Sequence, residues 1–196
     1  MDSELLPPVR LAIAYAPAHL RSAFGLLLRF DDRLAGIVGH STEPLMGQIK
    51  MAWWRDAIEM NADRRPKNEP LLVEIGSLAD IDISDSLQAL LTAWERLLIE
   101  DDWTEQTLCT FAAERAEAIF GTYSKWIDLP HDMSALGAGW ARGDLRTRFG
   151  DRANVPPQIT VAVGRHRPQA RPLAILARSV EETSGLKLLW HAVTGL

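Results

Sequence analysis

Leu20 to Val38 reads LRSAFGLLLRFDDRLAGIV, and this stretch decides the fold. Leu20, Phe24, Leu27, Asp31, Leu34 and Val38 recur every three or four residues, which is one face of an α-helix. Pro17 is a good first-turn residue for such a helix. Gly39 and the cluster His40-Ser41-Thr42 are its stop. The odd member of the stripe is Asp31. A carboxylate on an apolar face needs a partner, because burying it alone is costly.

Working outward, the rest of the chain repeats the helical period. A second helix is predicted from Pro44 through Met46, Ile49, Trp53 and Met60. Residues 62–70 (ADRRPKNEP) read as a loop, and 71–80 as ambiguous between loop and short helix. Asp82 to Asp85 supply helix caps. Leu87, Leu90, Leu91, Trp94, Leu97 and Leu98 form a clear apolar stripe. Asp102-Trp103-Thr104-Glu105 has capping-box spacing and opens a helix through Leu108, Phe111, Ile119, Tyr123 and Trp126. Residues 134–148 read as helical despite Gly137, Gly139 and Gly143. Each glycine costs about 1 kcal/mol in a helix interior, so these mark places where another backbone or a ligand comes close. Asn154 to Pro157 reads as a turn and Gly164 to Pro172 as a basic loop. A last helix is expected from Pro172 through Leu176, Val180, Leu189 and Trp190. No stretch alternates like a strand, so the expected class is all-α, with residues 1–196 as one domain.

Composition narrows the function. The chain has 196 residues, 47% hydrophobic and 24% charged, which is ordinary for one globular domain. A net charge of −5 argues against a nucleic-acid binder. The single cysteine, Cys109, excludes an internal disulfide and a CxxC metal site. The N-terminus lacks the basic and apolar regions of a signal peptide, and no run approaches the ~20 apolar residues of a membrane span. The expected location is the cytoplasm, with peripheral contact to a membrane left open. His19, His40, His131, His166 and His191 show no zinc spacing. There is no GxSxG elbow and no phosphate-binding glycine loop.

Two readings of Asp31 stand side by side. One is a salt bridge to a neighbouring arginine such as Arg29, Arg33 or Arg21. The other is a Mg²⁺ ligand together with Asp32, since magnesium takes one or two carboxylates plus phosphate oxygens. Two aspartates four residues apart on a helix point the same way. The positions four on from Asp31 and Asp32 are Ala35 and Gly36, so that second carboxylate is missing.

Residues 10–58 resemble the N-terminal region of squalene/phytoene synthases. The carriers are Arg10-Leu11-Ala12, Tyr15-Ala16-Pro17, Arg21, Leu28-Arg29-Phe30-Asp31-Asp32 and Trp53-Trp54-Arg55. Leu97 to Phe120 resembles the family's acidic loop, Thr-capped start and alanine-rich helix. Leu136-Gly137-Ala138 resembles the start of the helix with the second aspartate motif. The resemblance implies an isoprenoid-synthase-like helical bundle around a central cavity, here shortened. It also implies head-to-head condensation of two prenyl diphosphates, with Mg²⁺ held between two aspartate helices. On that reading Asp31 and Asp32 bind metal, and Arg21, Arg29, Arg142, Arg146 and Arg148 hold diphosphate.

Both motifs depart from the family's DxxxD form. In the second, Asp144 and Asp151 are seven apart and Arg142, Arg146, Arg148 and Arg152 dominate. The pattern resembles the family's non-catalytic branch of complex I assembly factors. That resemblance implies a degenerate protein with respiratory-complex subunits or an isoprenoid ligand as partners. The arginine run is otherwise a solvated face with Asp144 near Arg148. Arg165, His166, Arg167 and Arg171 form a surface loop able to meet anionic headgroups. Trp94, Trp126 and Trp190 are expected in the core. Trp53 and Trp54 cannot share a face; Trp53 is assigned to the buried stripe and Trp54 to a partner or membrane interface.

Overall fold

Four helices begin with proline in their first turn, where the missing N–H costs nothing. They are α1 (Pro7–Tyr15), α3 (Pro44–Glu59), α4 (Pro70–Ser77) and, at the far end of the chain, α9 (Arg171–Arg178). Between them lie α2 (Ala18–His40), α5 (Ser84–Ile99), α6 (Glu105–Ala116), α7 (Thr122–Trp126) and α8 (Ser134–Phe149). A π-helical segment, Glu117–Gly121, joins α6 to α7, and short 3₁₀ turns cover Gly150–Ala153 and Pro168–Ala170. The computed structural model describes residues 5–41, 43–78, 81–100, 102–129, 133–153 and 168–180, and among these there is no strand. The chain is all-α, as its periodicity predicts.

The helices close a ring. α1 packs on α2, α2 on α5, α5 on α6, α6 on α8, α8 on α9, and α9 returns to α1. α3 and α4 lie against this ring, α3 on α5 and α2, and α4 on α2. α2 runs 23 residues with Leu20, Phe24, Leu27, Leu34 and Val38 all buried, so its apolar stripe faces the core as read. α5 buries Leu87, Leu90, Leu91, Trp94, Leu97 and Leu98, again as read. The ambiguous 71–80 stretch resolves into α4, whose entry is fixed by the Glu69 carboxylate accepting from the Leu71 N–H. The N-cap position of α5 is Ile83, without a side-chain cap; Asp82, one residue earlier, accepts from the Ser84 N–H at 2.9 Å.

Three expectations change. The cap of α6 is Thr104, whose hydroxyl accepts from the Thr107 N–H at 3.2 Å, so Asp102 and Glu105 do not form a capping box. Glu105 instead pairs with Arg142 of α8. Trp126 is only half-buried, whereas Trp94 is fully buried. The third change is the face that α3 turns inward. Met46, Ile49, Trp53 and Met60 mark the helix correctly, yet all four are exposed. The core takes Gly47, Met51, Trp54, Ala57 and Ile58. Gly47 explains the choice: a Cβ there would stand 2.7 Å from a Leu98 methyl, so only the glycine face lets α3 approach α5 closely. Val180 packs against Gly143. Trp190 and the turn at Asn154–Pro157 lie outside the described residues, as do Arg165, His166 and Arg167.

Candidate functional site

The centre of the ring holds charge. Asp31 of α2, Arg115 of α6 and Asp144 of α8 are all buried, Arg115 to 0% exposure. Arg115 donates from Nε to Asp31 Oδ1 at 2.9 Å and from Nη2 to Asp31 Oδ2 at 2.6 Å, a bidentate pair. The same Nη2 donates to Asp144 Oδ2 at 2.6 Å, and Nη1 reaches the Ala141 carbonyl at 3.4 Å. Four of the five guanidinium donors are thereby used. Its flat faces are covered too: Cζ sits 4.9 Å from the Trp94 ring centroid and 4.2 Å from that of Trp140. The Trp94 indole N–H donates to Asp31 Oδ1 at 2.8 Å.

Arg148 extends the network. Its Nε donates to Asp144 Oδ2 at 2.9 Å, one helical turn back, and its Nη1 to Asp32 Oδ1 at 2.7 Å. The outcome is a chain of five groups, Asp31–Arg115–Asp144–Arg148–Asp32, that ties α2, α6 and α8 together. Burial alone would raise the Asp144 carboxyl, but Arg115 and Arg148 outweigh it and hold Asp144 below the ordinary carboxylate range. Burial likewise works against the charge on Arg115 and Arg148, and the aspartates around them more than restore it.

The expected magnesium cluster does not fit these donors. Both oxygens of Asp31 and Oδ2 of Asp144 already accept from guanidinium N–H groups. The Arg115 guanidinium stands between the Asp31 and Asp144 carboxylates, and its charge opposes any cation brought to them. Among the described residues, no group of three or more His, Cys, Asp or Glu side chains is placed to hold a metal ion.

The sequence-derived candidates fare unequally. Asp31 does form a salt bridge, but not with Arg29, Arg33 or Arg21. Residues 29 and 33 are two steps away on the helix and point elsewhere. Arg29 pairs with Glu74, Arg33 with Glu69 at 3.0 Å, and Arg21 donates to the Ala16 carbonyl at 3.1 Å. The five arginines assigned to diphosphate do not converge. Arg142 is engaged with Glu105 at the outer end of α6, and Arg146 is half-buried on α8. Arg148 alone joins the buried network. The side chain of Asp151 lies outside the described residues. Trp54 is not at an interface: it is 3% exposed and stacks edge-on with Phe30, while Trp53 is 44% exposed. The indole assigned to the buried stripe is the exposed one, and the indole assigned to an interface is buried.

Arg115 is the residue that sequence reasoning missed. The signal was present, because Leu108, Phe111, Arg115 and Ile119 lie on one helical stripe. A cation on an apolar face of α6 is the counterpart of the anion on the apolar face of α2.

A cleft of about 540 Å³ opens on the other side of α2 from Asp31. Arg29, Arg33 and Lys50 line it together with Leu5, Ile37 and Leu71, and Asp32 and Glu74 contribute carboxylates. No helix among the described residues is long and apolar enough to cross a membrane.

Comparison with known proteins gives one positive result. A family model described as squalene/phytoene synthase matches residues 9–120. The match takes in Asp31, Asp32 and Arg115 but stops short of α8, which carries Asp144 and Arg148. Comparison with curated proteins and with solved structures gives no match.

Proposed function

The chain belongs to the squalene/phytoene synthase family, and from that premise we propose that it is a non-catalytic member acting as an assembly or scaffold factor, of the kind that serves respiratory complex I. The observation that carries this reading is the Arg115 guanidinium between Asp31 and Asp144. Prenyl-diphosphate chemistry needs metal ions to stabilise the departing diphosphate. In this chain the two aspartate helices are bridged by protein cations, and their carboxylates act as structural anions. Fold alone does not carry activity.

The test has two arms. Purified protein with farnesyl or geranylgeranyl diphosphate and Mg²⁺ is expected to give no condensation product, and Asp31→Ala with Asp32→Ala to change nothing in that assay. Product formation that this double variant abolishes overturns the non-catalytic reading. Deleting the gene is expected to lower the assembled level of a respiratory complex while squalene, hopanoid and carotenoid levels stay unchanged. Unaltered complex levels overturn the assembly role.

One observation favours a second reading, a metal-independent binder of an isoprenoid or lipid anion. The cleft beside Arg29, Arg33 and Lys50 has a ligand-sized volume and both cationic and apolar walls. Geranyl diphosphate raising the melting temperature in EDTA supports it, and no shift at saturating ligand excludes it.

A further inference from the structure

Among the described residues, the exposed large apolar side chains cluster on the outer face of α3. Leu45 is 63% exposed and Ile49 53%, and Met46, Trp53 and the C-cap residue Met60 are also exposed. Taking about 100° per residue, these five side chains fall within roughly a third of the helix circumference. The opposite face of α3 is already committed to α5 and α2. α3 therefore carries a second apolar face, exposed, besides the one it buries. Contiguous exposed apolar patches of this kind mark interaction sites.

The patch is also pre-ordered. The Trp53 ring packs edge-on against Trp54 at 5.1 Å, and Trp54 packs the same way on Phe30 of α2. The exposed indole is therefore positioned from the core, which lowers the entropy cost of using it as an anchor. Tryptophan is the residue type most enriched among binding hot spots.

Charge selects the occupant. Glu43 borders the N-terminal end of the patch, and Asp56 and Glu59 its C-terminal end, all exposed. Lys50 is the one basic residue among the exposed positions from 43 to 60. An anionic membrane surface would be repelled at both ends. A second copy of the chain fits no better, since both ends of α3 are acidic and either orientation sets like charges against each other. We propose that this face docks an amphipathic helix of a partner protein, one whose apolar stripe is bordered by lysine or arginine. The mode is a helix laid along a helix about 24 Å long. The proposal does not depend on whether the aspartate site turns over, because its test reads binding alone.

The test uses two synthetic 20-residue helical peptides with the same leucine stripe, one flanked by lysines and the other by glutamates. Calorimetric titration of the full chain is expected to show the lysine peptide binding about tenfold more tightly. Asp56→Lys with Glu59→Lys is expected to reverse that preference. Ile49→Glu, with circular dichroism confirming an unchanged fold, is expected to abolish binding of both. Equal affinity for the two peptides, or binding that survives Ile49→Glu, overturns the proposal. So does binding of neither peptide. Concentration-dependent dimerisation in sedimentation that Ile49→Glu removes assigns the face to a second copy instead. Flotation with phosphatidylglycerol vesicles that Ile49→Glu removes assigns it to a membrane.

Discussion

Arg115 is a cation with no exposed surface, and its environment sets what its removal would do. Truncating one partner of a buried ion pair leaves the others charged and unsolvated, at a cost of about 3–5 kcal/mol. Arg115→Met is therefore expected to lower the unfolding free energy by about that amount, read from urea titration. Adding Asp31→Asn and Asp144→Asn to the same chain should recover part of the loss, because the stranded charges go with them. If the single variant is as stable as the parent, the network is not structural. Asp144 adds a pH dependence. Its folded pKa lies below the unfolded value, so its contribution is full above the ordinary carboxylate value of about 4 and is lost as the pH falls through the folded one. Stability is expected to drop in acid below about pH 4, and Asp144→Asn to flatten that drop. The arginines stay charged throughout, so no matching loss is expected near neutral pH.

Among the elements, α8 shows how a residue that weakens a helix can serve the site. A Cβ at Gly137 would stand 2.8 Å from the Ala116 methyl and from the Phe120 ring. The missing side chain lets α8 lie close on α6, and that closeness brings Asp144 within reach of Arg115. Gly137→Val is expected to destabilise by about 1–3 kcal/mol through overpacking, and by less once Phe120→Ala makes room. An unchanged urea midpoint in Gly137→Val would show that α8 has slack. α3 shows the reverse problem. Both its faces carry apolar residues at helical spacing, so periodicity finds the helix but cannot choose which face goes inward. Packing chooses, because the face with Gly47 and Ala57 is the thinner one and fits against Leu98.

For the molecule as a whole, the ring of six helices brings the carboxylates of Asp31, Asp144 and Asp32 onto the guanidiniums of Arg115 and Arg148. Chelation should then leave stability untouched. The melting temperature is expected to be the same in EDTA as in millimolar Mg²⁺, by differential scanning calorimetry. A Mg²⁺-dependent rise that Asp31→Asn removes would show that the aspartates still bind metal.

What the sequence determined by itself is local. Helix type follows from a 3.6-residue period, helix starts from Pro44 and Pro172, and the departure of the first motif from DxxxD from Ala35 and Gly36. The anion on the α2 stripe was legible for the same reason, and so was its need for a partner. Tertiary structure alone decided which partner it took. The nearby arginines at 29 and 33 are excluded by helix geometry, while Arg115, 84 residues away, is brought in by the packing of α5, α6 and α8. It also decided which indole of Trp53-Trp54 faces solvent. Both choices depend on how closely backbones can approach, and that is set by the contours of several helices together, which no single stretch of sequence contains.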